Sequence, residues 1–277
     1  MVAISSFFGA DNALLRLQSS ERNINRSLER LSSGERILEA ADDRLDLQIA
    51  NNLRSEIRSY SVLKRDHFDS MNFIQVADGH LEEMSNVLTR ITELATEAAS
   101  GTTGPDNSNA KLALDAEFQS LLEDIDQIND EVRFSNVTVF GSAGTTMRVN
   151  LTIDAADPTE TLIVTTSTIS TTALGLAMGD LTTELTAGNA LTAAKAAIEQ
   201  VNRQRGRLGA MAVRINENMD FIDERIINMQ DQESLIRDTD IAEETVALTK
   251  FQILNQSNVS VMAQANLNVN QVLSLLG

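Results

Sequence analysis

The chain of 277 residues has no cysteine and no tryptophan, only two prolines and a single tyrosine, Tyr60. Without cysteine there is no disulfide, no thiolate nucleophile and no cysteine-ligated metal. That absence is silent about compartment, because a secreted protein can do without disulfides. Aromatic residues make up 4%, so the usual bulky core fillers are scarce, and Ala, Leu, Ile and Met take their place. Such a composition favours helices packed closely side by side. No run of about twenty apolar residues occurs, so membrane insertion is not expected. Basic residues are also few: 22 Lys and Arg stand against 40 Asp and Glu, a formal net charge of −18 at pH 7. This balance argues against nucleic acid or an anionic membrane as main partner, since both attract cations. The N-terminus, MVAISSFFGADNALLRLQ, lacks a basic start ahead of an apolar stretch, so a cleaved secretory signal is not expected.

What is present is mostly helical periodicity. Alternating steps of three and four from Leu191 pass through Ala194, Ile198, Val201, Arg205, Leu208, Ala212, Ile215, Met219, Ile222, Ile226, Met229, Glu233 and Ile236. Only Arg205 and Glu233 break the apolar stripe. A register held this long predicts a helix with a coiled-coil seam, a rod of roughly 70 Å at 1.5 Å per residue. The two charged positions are either interhelical ion pairs or solvated gaps. A second stripe joins Leu53, Ile57, Tyr60, Leu63, His67, Met71, Ile74, Ala77, Leu81, Met84, Leu88, Ile91, Ala95 and Ala98. Asp42 and Asp43 are its candidate N-caps, and the turn-rich GTTGPDNSN with Pro105 ends it. A third, shorter stripe runs through Leu114, Phe118, Leu121, Ile125 and Ile128, and three such helices would bundle together.

Between Phe134 and Ala187 the pattern changes. MRVNLTI and TLIVTTSTI are rich in β-branched residues and are separated by DAADPTE, which holds Pro158. They predict one β-hairpin with a turn of about four to seven residues, the only sheet expected, followed by a Thr/Gly-rich connection. The expected fold class is therefore mainly α: a long antiparallel coiled-coil helical rod with a small β-hairpin region.

The two ends differ from the middle. Leu14, Leu17, Ile24, Leu28 and Leu31 fit a short heptad helix ending at Ser32-Ser33-Gly34, and residues 1–40 have no net charge. Asp240 followed by Glu243 resembles a capping box that opens a last helix. From Thr245 onward the only charge is Lys250. Phe251, Leu254 and Val261 point to one side of this helix, and Val259, Met262, Val269 and Leu276 to another. One partner helix would cover one face and leave the remainder wet, together with Asn255, Asn258, Asn266, Asn268 and Asn270. Ordering each residue costs roughly 1–2 kcal/mol, whereas a fully buried Leu, Val or Met returns about 1.5–3 kcal/mol. The ends are therefore expected to stay largely disordered until other copies surround them. The expected self-assembly interface is Leu14, Leu17, Ile24, Leu28, Leu31, Phe251, Leu254, Val259, Met262, Val269, Val272, Leu273 and Leu276. The expected rod seam is Leu53, Ile57, Ile74, Leu81, Leu88, Ile198, Val201, Leu208, Ile215, Ile222, Ile226 and Met229.

Little here points to chemistry. His67 sits in an apolar stripe and His80 beside Gly79, and no HExxH motif is present, so both read as seam or surface histidines. Asp238-Thr239-Asp240 and Glu243-Glu244 lack the glycine and the final glutamate of a calcium loop; helix capping accounts for them. GTTGPDNSN has no lysine and is no phosphate-binding loop. Met71, Met84, Met219 and Met229 are core filler. Asn136 and Asn150 lie in glycosylation sequons. No catalytic, cofactor-binding or metal site emerges, and the chain is not expected to be an enzyme.

Several stretches carry a family resemblance. LERLSSGERILEAADDRLDLQIANNLRSEI (Leu28 to Ile57) resembles the N-terminal signature of bacterial flagellins. VLTRITELATEAASGT (Val87 to Thr102) and LDAEFQSLLEDIDQINDEVRFSNVTVF (Leu114 to Phe140) resemble two further family motifs. LGAMAVRINENMDFI, LIRDTDIAEETVALTKFQIL and VMAQANLNVNQVLSLLG are similar to its C-terminal ones. The departures are Arg44-Leu45-Asp46, where the family has small residues, and Ser135-Asn136, where it has Asn-Gly.

The resemblance implies a minimal flagellin without large outer domains, a filament subunit for swimming motility. Residues 1–40 and 240–277 would be the two halves of a terminal coiled coil lining the inner tube. Residues 41–140 and 190–239 would form the rod outside it, packing by acidic flanks, and 141–189 the β-hairpin and variable region. The implied partners are other copies of the chain, an export chaperone, hook-associated junction proteins and a cap protein. Export would run unfolded through the flagellar type III apparatus, on an uncleaved signal, to an extracellular filament. Arg90, Leu94 and Glu117 match positions at which some flagellins contact the vertebrate innate receptor TLR5. A hook–filament junction adaptor is the alternative; the C-terminal AQAN…VLSLLG favours the filament subunit.

Overall fold

The computed structural model describes residues 2–100, 108–141, 144–153, 160–177 and 179–276; the side chains of 2–10, 108, 266 and 268–276 lie outside the description. Of the expected break at 101–109, residues 101–107 fall among those left out while Ser108 and Asn109 are helical, and the turn holding Pro158 is left out too. The described elements are α1 (Val2–Ser33), α2 (Arg44–Ala99), α3 (Ser108–Glu131), β1 (Arg133–Phe134), β2 (Val137–Thr138), β3 (Thr145–Asn150), β4 (Thr161–Thr166), α4 (Glu184–Arg237) and α5 (Ile241–Leu276). The fold is mainly α with two small antiparallel sheets. Two compact units divide it: a terminal unit of 1–57 and 227–277, and a central unit of 58–226. Helices α2 and α4 supply residues to both.

In the central unit the sequence stripes become the core. Along α2, Ile74, Ala77, Leu81, Met84, Leu88, Ile91 and Ala95 are buried; along α4, so are Ala194, Val201, Leu208, Ile215 and Ile222. Ile198 and Ile226 are half-buried on the same stripe. Lys64 meets Asp223 at 2.5 Å, and Arg205 meets Asp78 at 2.8 Å and Glu82 at 3.3 Å. Residue numbers rise on one helix as they fall on the other, so the pair is antiparallel. The Arg205 break in the stripe is thus an interhelical ion pair. His67 is wholly buried in the α2 seam, its Nδ1 2.8 Å from the Leu63 carbonyl oxygen.

Helix α3 adds Phe118, Leu122 and Ile125 to this core and holds down the connection that follows β4. Asp126 accepts from the Thr171 amide and hydroxyl, each at 2.8 Å; Asn129 accepts from the Ile169 amide and Asp115 from the Leu181 amide. These side chains fix an otherwise irregular Thr/Gly-rich segment along the helix. A side chain at Gly179 would come within 2.8 Å of the Phe118 ring.

The sheets correct two expectations. Strands β3 and β4 pair from Thr145↔Thr166 to Asn150↔Thr161, turning Val149, Leu162 and Val164 into the core and leaving Ile163 exposed. That is the period-two alternation of a half-buried hairpin. Pairing stops at Asn150, sooner than MRVNLTI implied, so the connection is longer than four to seven residues; Leu151 still donates to the Glu160 carbonyl at 2.8 Å. A second sheet was not expected. Strands β1 and β2 pair Arg133↔Thr138 and Phe134↔Val137 around Ser135 and Asn136, whose φ values are 47° and 72°. Both central residues of a type I′ turn need positive φ, and Ser135-Asn136 supplies it without glycine, which hid the turn.

Candidate assembly interface

The terminal unit begins with a knot of backbone and charge. Helix α1 ends at Gly34, whose φ of 75° and amide bond to the Arg30 carbonyl at 2.8 Å make a left-handed cap. The Thr239 amide donates to the Gly34 carbonyl at 2.9 Å, and the Arg36 amide to the Arg237 carbonyl at 2.6 Å. Arg36 also caps the last turn of α4 through the Ile236 carbonyl at 2.7 Å. Arg237 pairs with Glu35 at 2.9 Å and Arg54 with Glu233 at 2.8 Å, so the second break in the α4 stripe is an ion pair too. Leu53 and Ile57 are half-buried here and Met229 is buried. Asp43 caps α2 through the Leu45 and Asp46 amides; Asp42 instead accepts from Leu38 and Glu39 ahead of the helix. Asp240 caps α5 through the Ala242 and Glu243 amides.

Helices α1 and α5 pack antiparallel: Asn258 donates to the Ser20 hydroxyl at 3.2 Å, and Arg30 lies 3.6 Å from Glu244. Their seam mixes small and polar residues with apolar ones. On α1 the buried residues are Ala13, Ser20 and Ser27, the last 2% exposed, flanked by half-buried Leu17, Ile24 and Leu31. On α5 the inward row is Leu248, Phe251, Asn255, Asn258, Met262 and Ala265, all half-buried. Small residues let the two backbones come close, and an amide facing a hydroxyl is satisfied without the desolvation cost of a charge.

The apolar side chains that this seam displaces point outward. Leu14, Leu15 and Leu28 on α1 are exposed, as are Val246 (69%), Ile253 (63%), Leu254, Val259, Val261 and Leu267 on α5. This corrects the expected faces of the last helix. Leu254 and Val261 do not accompany Phe251, and Asn255 and Asn258 are inside rather than wet. The row follows steps of three and four from Leu248, and its asparagines break the apolar stripe that would otherwise mark it in the sequence. Of the expected interface, Leu17, Ile24, Leu31, Phe251 and Met262 face the partner helix, and Leu14, Leu28, Leu254 and Val259 face away. The side chains of Val269, Val272, Leu273 and Leu276 lie outside the described residues.

The receptor-motif positions do not form one patch. Arg90 and Glu117 are exposed and paired at 2.6 Å, with Glu93 at 3.2 Å. Hydrogen bonding to Glu117 raises the Arg90 pKa above its ordinary value. Leu94 is 1% exposed and belongs to the core. Among the described residues no group of histidine and carboxylate side chains is placed to hold a metal ion. No described helix is long and apolar enough to cross a membrane.

Comparison with known proteins matches this arrangement at both ends. Residues 4–145 match the bacterial flagellin N-terminal helical region, and residues 191–276 the bacterial flagellin C-terminal helical region. A flagellin of Halalkalibacterium halodurans is 33% identical over 91% of each chain. The flagellar filament 30.7 kDa core protein of Treponema maltophilum is 31% identical over 96% of this chain and 95% of its own. A flagellin of Bacillus subtilis is 30% identical over 99% of each. With both helical regions matched and relatives aligned over nine tenths or more of their length, this chain belongs to the bacterial flagellin family.

Proposed function

We propose that the chain is the structural subunit of a bacterial flagellar filament, a minimal flagellin that polymerises outside the cell to drive swimming. The observation that carries this reading is the helix pair of the terminal unit, which leaves large apolar side chains uncovered. Ser20, Ser27, Asn255 and Asn258 share the α1–α5 seam with Leu17, Ile24, Leu31, Phe251 and Met262, while Leu14, Leu28, Ile253, Leu254 and Val259 face outward. Full burial of such a side chain returns about 1.5–3 kcal/mol, and at 42–63% exposure a single copy leaves roughly half of that unused. Neighbouring copies supply the missing cover, and the almost uncharged stretch from Thr245 onward lets many copies crowd around one axis without repulsion. On this reading 1–40 and 240–277 form the inner wall, with 41–140 and 190–239 outside it and 141–189 at the variable position. No observation favours the junction-adaptor alternative.

Export through the flagellar type III apparatus, with its chaperone, and assembly between junction and cap proteins follow from the same reading. Recognition by TLR5 would rest on the exposed Arg90–Glu117 pair, since Leu94 acts from inside the core. A reporter-cell signal unchanged by Arg90→Ala would remove that recognition. The filament reading itself is tested by seeded growth: purified chain added to filament fragments should elongate them under the electron microscope. Fragments that stay at their starting length would refute it.

A further inference from the structure

The net charge of −18 sets a problem for a protein that packs against itself, because copies repel unless their surfaces place opposite charges together. The central unit carries both halves of an answer on different elements. Between α2 and α3 lies an open groove of about 660 Å³. Val87, Ile128 and Val132 make its floor, and Glu83, Asp124 and Glu131 line it as exposed acids. His80 sits 3.3 Å from Glu83, Gln127 donates to Glu131, and Arg133 closes one end. Asp124 has no ion-pair partner among the described residues.

Helix α4 carries the complement. Arg203, Arg207 and Arg214 are all exposed, and their spacing of four and then seven places them on one helical face. At 1.5 Å per residue they span roughly 16 Å. Further along the same face come Phe221, 53% exposed, and Arg225, whose guanidinium lies 5.5 Å from the Phe221 ring. The acids Glu199, Glu217 and Glu224 border the row and are exposed too. Arg203 has a loose partner in Glu199 at 3.5 Å, and Arg207 and Arg214 have none among the described residues. A chain so poor in cations has gathered several on one exposed face and left two of them unneutralised.

We infer that the arginine face of α4 from one copy beds in the acidic α2–α3 groove of the next copy. Because groove and stripe are different surfaces of the same chain, the contact is heterologous, the kind that repeats into an open helical polymer. Opposite charges fix orientation and speed encounter, while the apolar floor gives Phe221 or the arginine stems a place to pack. The inference rests on the filament reading and adds the side-to-side contact between central units.

The test is reciprocal charge exchange in the full chain, read as elongation rate on filament seeds. One variant carries Arg203→Glu, Arg207→Glu and Arg214→Glu; the other carries Glu83→Lys, Asp124→Lys and Glu131→Lys. Every site is exposed, and circular dichroism verifies that helix content is kept. Each variant alone should elongate at least tenfold more slowly than the natural chain. An equimolar mixture should regain at least half the natural rate, since each variant then offers the other its complement. Arg207→Gln alone, which disturbs folding least, should slow growth at least twofold. Natural rates from either triple variant, or a mixture as slow as its components, would overturn the contact. Failure of the natural chain to elongate would instead overturn the filament reading on which it rests.

Discussion

The central and terminal units build helix pairs in different ways. In the central unit the seam is Ile74, Leu81, Leu88, Val201, Leu208 and Ile215, and charges such as Lys64, Asp223 and Arg205 flank it. In the terminal unit Ser20, Ser27 and Asn258 share the seam with half-buried Leu17, Ile24, Phe251 and Met262, and Ile253, Leu254 and Val259 face outward. The first pair buries its seam within one chain. On the proposed reading the second is a layer inside something larger, and neighbours cover its exposed apolar side chains. Stability of the subunit and cohesion of the polymer are thereby assigned to different residues, so mutations should separate them.

The largest expected effect comes from removing outward surface. Deleting residues 256–277 should abolish elongation on seeds while leaving the thermal transition of the central unit in place; filaments grown from the truncated chain would break the comparison. Next, Leu88→Ala in the completed seam should lower unfolding free energy by about 2–5 kcal/mol, measured by urea denaturation. Leu254→Ala should change that energy by roughly 0.5 kcal/mol or less yet slow seeded growth severalfold. Equal losses of stability would show that the outward face is not distinct. In assembled filaments, where α1 and α5 are held, a larger side chain at buried Ser27, as in Ser27→Leu, should cost about 1–3 kcal/mol, read as a lower temperature of filament dissociation. The smallest effect is a gain: Asn136→Gly should relax the φ of 72° and stabilise the central unit by about 1 kcal/mol, a rise in its melting temperature.

The central core was legible because its stripes are long, regular and apolar. Stepping by three and four found Ile74 through Ala98 and Ala194 through Ile222, and the two charged interruptions, Arg205 and Glu233, proved to be ion pairs with Asp78 and Arg54. Legibility failed where polar groups do structural work. The asparagines of α5 read as surface because they break every apolar stripe, and Ser135-Asn136 hides the β1–β2 turn because it lacks a glycine. The strap held by Asp115, Asp126 and Asn129 depends on partners distant in sequence, at Leu181, Thr171 and Ile169, which no local pattern displays. The arginine face of α4 was present in the spacing of 203, 207 and 214, but its meaning depends on the groove that α2 and α3 form.

Amide hydrogen exchange read by mass spectrometry measures directly whether the terminal helices are held chiefly by their neighbours. In dilute monomer, peptides from α1 and α5 should exchange within seconds to minutes while the buried stretches of α2 and α4 stay protected. In assembled filaments α1 and α5 should become as slow as the central unit. Strong protection of both terminal helices in the dilute monomer would contradict the account.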